Sequence, residues 1–116
     1  MIITVKWDVP EQLLKDLLVT VVEGGSDYWA SFAMVVRDAN LDITSVVVRE
    51  HEASGDEPPA LVTITPALMA TGLERLAQAS FPSALQHLTN ALKEEGDATT
   101  ADVVLQMAMF GETIYG

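Results

Sequence analysis

The segment EGGSDYW (Glu23 to Trp29) puts two carboxylates, a Gly-Gly pair, a serine and two large aromatics into seven residues. A Gly-Gly reversal lets a ligand approach bare backbone. Tyr28 or Trp29 then supplies a stacking wall, and Glu23 or Asp27 a polar anchor, the mix that small-ligand pockets use. The same residues also have a purely architectural use. Gly24 ends a helix in the left-handed C′ position, Gly25 permits a tight reversal, Ser26 or Asp27 accepts a backbone N–H, and an aromatic fills the core below. The stretch LQMAMFGETIYG (Leu105 to Gly116) echoes this pattern, with Gln106 in an apolar helix followed by Gly111, Glu112 and Tyr115. A buried glutamine must find hydrogen-bond partners, so Gln106 either pins a neighbouring element or joins a site. If the two segments meet, Glu23 and Glu112 form a paired-carboxylate pocket with aromatic walls, and such pairs divide acid and base roles. The candidate binding residues are therefore Glu23, Gly24, Gly25, Asp27, Tyr28, Trp29, Gln106, Glu112 and Tyr115, with no catalytic residue assigned.

Other chemistry finds less support. The chain has no P-loop, GxGxxG, HExxH, GxSxG or EF-hand pattern. It has no cysteine, which removes disulfides and thiolate chemistry and favours a cytoplasmic reading. His51 lies between Glu50 and Glu52, but in a strand those glutamates share one face and the histidine takes the other, a poor start for a metal site. Asp56 or Glu57 would have to return across the loop. His87, beside Gln86 in an amphipathic pattern, reads as a surface or boundary residue. No metal and no cofactor is expected.

The net charge is −11, from 17 acids against 6 bases. Such a chain repels nucleic acid and anionic membrane. Its charge serves either solubility or electrostatic recognition of a basic partner, mimicry of DNA included. The acids are scattered, with clusters only at EHEASGDE (Glu50 to Glu57) and EEGD (Glu94 to Asp97), both of which read as loops. At 116 residues, 49% apolar, the chain reads as one compact domain, 1–116, with enough apolar surface for a core. No apolar run reaches membrane-spanning length, and MIITVKWDVPEQ has no signal-peptide pattern.

Several elements must position the candidates. IITVKW (Ile2 to Trp7) alternates as a strand, with Ile3, Val5 and Trp7 on one face. Asp8 caps and Pro10 opens a helix whose apolar positions, from Leu13 through Val22, line one face to about Glu23. Ala30 to Arg37, Asp42 to Glu52 and Ala60 to Thr65 read as an antiparallel meander, with a DAN turn and the ASGDEPP loop between them. Thr65 caps and Pro66 opens a helix to about Ala79. Gly72 weakens it by about 1 kcal/mol relative to alanine unless close packing requires it. A third helix carries the stripe Phe81, Leu85, Leu88 and Leu92 and stops at Gly96. Thr99 and Asp102 resemble a capping box for a last helix that is apolar nearly all round, hence buried in the core or in a subunit interface. The order β-α-β-β-β-α-α-α predicts an α+β fold, an antiparallel sheet of three to four strands with helices on one face.

The segments EGGSDYWA (Glu23 to Ala30) and TADVVLQMAMFGETIYG (Thr100 to Gly116) together resemble a family of small proteins encoded by tailed bacteriophages and prophages, phages of actinobacteria among them. The likeness spans most of the chain, the opening strand and helix included; the central strands and EHEASGDEPP add nothing to it. It implies an origin, a phage-encoded accessory protein made in the cytoplasm of a bacterial host, and no activity. Small size, missing motifs and negative charge favour a protein that binds a host or phage protein, such as a nucleic-acid-binding or defence factor that it inhibits, or a small ligand. Two alternatives stand beside it. One is a small hydrolase or nucleotide-processing enzyme using the paired carboxylates. The other is a virion or assembly component that forms a homodimer through its last helix.

Overall fold

A computed structural model describes residues 1–3, 6–51, 59–94 and 97–116. Among these the chain forms α1 (Glu11–Thr20), β1 (Ala30–Arg37), β2 (Ile43–Glu50), β3 (Leu61–Ile64), α2 (Pro66–Gln78), α3 (Ala84–Leu92) and α4 (Ala98–Phe110). This is the expected α+β architecture. The sheet is an antiparallel meander in the order β1-β2-β3, with Val48 facing Phe32 on one side and Val62 on the other.

Alternation decides which side of the sheet the helices cover. Val46, Val48 and Ile64 are buried on one face, while Ser31, Ala33, Arg49, Leu61 and Thr63 are exposed on the other. The core joins that inner face to Leu13, Leu17 and Leu18 of α1, Met69, Leu73 and Leu76 of α2, and Val104 and Leu105 of α4. The turn before β2 is built by Asp38, whose carboxylate accepts from the backbone N–H groups of Asn40 at 2.9 Å and Asp42 at 3.1 Å.

Several expectations need correction. Ile2, Ile3, Lys6 and Trp7 carry no strand and are exposed, and Thr4 and Val5 lie outside the described residues. α1 starts from Pro10, whose carbonyl accepts from Leu13 N–H at 3.1 Å, and no side chain caps it, so Asp8 does not. α3 turns Leu85 to solvent (73% exposed) and buries Ala84 and Ala91. The Gly96 stop lies outside the described residues, as do Glu52 to Pro58, most of the ASGDEPP loop and of the first acidic cluster.

The largest correction concerns the start of α4. Its cap is Asp97, whose side chain accepts from Thr100 N–H at 3.0 Å. That frees Asp102 from capping. α4 itself buries eight of its thirteen residues inside this chain, so its all-round apolar character is used by the core. At its far end Gly111 takes the left-handed conformation (φ 74°), and Arg75 of α2 donates to the carbonyls of Met107 and Ala108, both at 2.9 Å. Gly72 of α2 is required by close packing: a Cβ there would stand 2.4 Å from the Val104 carbonyl oxygen of α4.

Candidate functional site

The two candidate segments do meet. After α1 the chain makes a π-helical turn, Val21–Gly25, broken at Gly24, whose φ of 142° suits glycine without being the left-handed C′ geometry expected. Gly25 serves a different purpose from the one its sequence suggests. A Cβ there would lie 2.6 Å from the Ala98 carbonyl oxygen, so this glycine admits the first turn of α4 and not a ligand.

The close approach delivers Ser26, Tyr28 and Trp29 to Asp102. The Asp102 side chain is buried and accepts the Ser26 hydroxyl at 2.7 Å, the Trp29 indole N–H at 2.7 Å and the Tyr28 hydroxyl at 2.6 Å. Gln106, one turn further along α4, adds its Nε2–H at 3.2 Å. Both carboxyl oxygens are thus engaged by neutral donors. An acid in this position avoids the cost of burial because four donors replace its water.

Gln106 extends the clasp to the end of the chain. Its Oε1 accepts the backbone N–H groups of Ile114 at 2.8 Å and Tyr115 at 2.9 Å, and its Nε2 donates to the Tyr115 carbonyl at 3.2 Å. The Tyr115 ring stacks on Trp29, centroids 4.9 Å apart and planes 10° off parallel, while Phe110 packs tilted against Trp29 at 5.6 Å. The Tyr115 hydroxyl donates to Glu50 Oε1 at 2.5 Å, tying the same segment to the end of β2. Among the described residues no buried side-chain polar atom lacks a partner.

This geometry sorts the candidates. Tyr28, Trp29, Gln106 and Tyr115 are brought together. Trp29 is 2% exposed, under Tyr115, so it is core and not a ligand wall. Glu23, Gly24, Asp27 and Glu112 are at the surface, and Gly25 is half-buried against α4. Ser26, Glu50, Phe110 and above all Asp102 belong to the arrangement and are absent from the sequence-based candidates. The signal for Asp102 is its spacing: in an apolar helix, acid and glutamine at i and i+4 share a face. His51 lies close by, its Nε2 2.7 Å from the Asp27 carbonyl oxygen, and His87 Nδ1 is 3.1 Å from the buried Thr100 hydroxyl. No three metal-ligating side chains converge among the described residues.

Tyr28 is the most exposed side chain of the clasp. Its residue is 56% exposed while its hydroxyl points inward. Desolvation of that hydroxyl, and its donation to Asp102, push its pKa from 10.0 up to about 12. Beside it, the Asp27 carboxylate lies 3.6 Å from where a side chain on Gly24 would begin. A separate pocket of about 140 Å³, lined by Leu13, Asp16, Leu17, Thr20, Ala91 and Glu94, contains none of the candidates. No described helix is long and apolar enough to cross a membrane.

Fold and site together define a small α+β domain whose turn and carboxy-terminal helix are clasped by one buried acid. Compared with known proteins, the chain matches no family profile, no curated protein and no solved structure.

Proposed function

We propose that this chain is a non-enzymatic binding protein and that the surface around Tyr28 is its contact. One observation carries the reading: Tyr28 is half in solvent, yet its hydroxyl is held by Asp102 at 2.6 Å. An aromatic ring fixed before its partner arrives loses little freedom on binding, which is how tyrosines become anchors of interfaces. The exposed acids Glu23 and Asp27 flank it in sequence, in a chain of net charge −11. An aromatic face beside carboxylates suits a lysine or arginine side chain of a basic protein. The likeness of EGGSDYWA and the carboxy-terminal segment to phage proteins supports an accessory role inside a bacterial host.

Capture from bacterial lysate tests this. The wild-type chain should retain a basic protein at low salt and lose it as salt rises, because the attraction is screened. Tyr28→Ala and the double reversal Glu23→Lys, Asp27→Lys should each abolish retention, whereas Leu85→Asp on α3 should not. A partner held equally by all variants, or none at any salt, overturns the proposal.

A further inference from the structure

Segment 111–116 forms neither helix nor strand, yet the fold holds it as it would hold a bound peptide. The Gln106 amide accepts the N–H groups of Ile114 and Tyr115 and donates to the Tyr115 carbonyl, so it grips backbone and ignores side chains. The ring is selected separately. Trp29 stacks on it at 4.9 Å, Phe110 flanks it at 6.2 Å, and the Glu50 carboxylate accepts its hydroxyl. Main-chain bonds for affinity and a side-chain slot for specificity are the parts of a peptide-binding site. Here the slot is built by residues that lie outside the segment it holds.

We propose that Trp29, Glu50, Gln106 and Phe110 form a receptor for a tyrosine-bearing peptide, and that the chain's own Tyr115 is its resident, displaceable occupant. Two features let the segment lift. Gly111 is a left-handed pivot (φ 74°) with nothing within 4 Å of where a Cβ would stand. Glu112, Thr113 and Ile114 are exposed, so their departure leaves no hole in the core. A third feature selects what takes the segment's place. Gln106 is buried, and lifting the segment strips its amide of three bonds. A replacement must offer consecutive N–H groups and a carbonyl, which another peptide supplies and an apolar small molecule does not. With the segment in place Tyr115 closes Trp29 off, and Trp29 becomes a wall for an incoming ring only when the segment swings out. The tethered segment competes at an effective concentration on the order of millimolar, so the intact chain admits a foreign peptide weakly. The inference does not rest on the charged contact at Tyr28.

The probe is the free peptide GETIYG, the sequence of residues 111–116. In the wild type, hydrogen exchange followed by NMR should show the Ile114 and Tyr115 amides exchanging about tenfold or more faster than those of buried Val104 and Leu105. Millimolar peptide should speed those two amides severalfold and leave α4 unchanged. The full-length double variant Ile114→Pro, Tyr115→Pro removes both N–H donors and the ring, which empties the slot. In a Trp7→Phe background, the peptide should shift the Trp29 emission of this variant to the blue, saturably, and should bind it about tenfold or more tightly than it binds the parent. Phenylalanine in place of the peptide's tyrosine should weaken binding severalfold, and Glu50→Ala should erase that difference. The inference fails if the two amides exchange no faster than those of α4, since the segment then opens only with the whole fold. It fails equally if the peptide leaves wild-type exchange unchanged, or if the tyrosine and phenylalanine peptides bind alike.

Discussion

Asp102 Oδ1 accepts the indole N–H of Trp29 at 2.7 Å, a buried contact between residues 73 positions apart. Through it the turn before the sheet and the last helix become one unit. Removing the acid should therefore damage more than one bond. Asp102→Ala leaves the Ser26 hydroxyl and the Trp29 N–H buried without an acceptor, and should cost about 3–5 kcal/mol. Ser26→Ala, which removes a single donor, should cost about 1 kcal/mol. Urea denaturation followed by far-UV circular dichroism compares the two, and equal losses would mean that Asp102 is no hub.

Tyr28 titration gives a pH signature. Its folded pKa, about 12, lies above the ordinary 10.0. The folded state therefore holds the proton more tightly, and the stabilisation is complete below pH 10. It is lost as pH rises from 10 through 12. Tyr28→Phe should flatten the fall in thermal midpoint across that window, and should remove a phenolate absorbance step near pH 12. A wild-type Tyr28 that ionises with an ordinary tyrosine pKa would contradict the hydrogen bond.

Gly72 sets propensity against packing. On propensity alone, Gly72→Ala in mid-helix should stabilise α2 by about 1 kcal/mol. The new Cβ, however, would lie 2.4 Å from a backbone oxygen of α4 and 3.1 Å from the Ala108 methyl. Backbone cannot yield cheaply, so the variant should be less stable by about 1–3 kcal/mol. A rise in melting temperature would show that α2 and α4 are not in contact there.

Gln106→Leu keeps the shape but removes the acceptor for Ile114 and Tyr115. The segment after Gly111 should detach at a cost of about 1–3 kcal/mol. Detachment unstacks Tyr115 from Trp29, so in a Trp7→Phe background the remaining tryptophan emission should shift to the red. Limited proteolysis should then cut within residues 112–116 faster than in the parent. Unchanged emission and unchanged cleavage would place the anchor elsewhere.

Local physics alone makes much of this chain readable. The α+β class and the antiparallel meander follow from period-two and period-3.6 patterns with turn residues between them, as does the start of α2 at Thr65 and Pro66. The lone glutamine in α4 announces a buried polar contact, because such a group must be paired. What it pairs with depends on chain reversal. Asp102 resembles a cap in sequence because Thr99 stands three residues before it, and only the Asp97 cap frees its side chain for the core. Gly25 and Trp29 read as available to a ligand because sequence does not reveal what packs against them; α4 and Tyr115 do. The opening IITVKW has a strand's alternation, but a strand needs a neighbour to receive its hydrogen bonds, and that neighbour is set by tertiary contact. Periodicity tells which residues seek burial, while long-range placement decides which partner each of them finds.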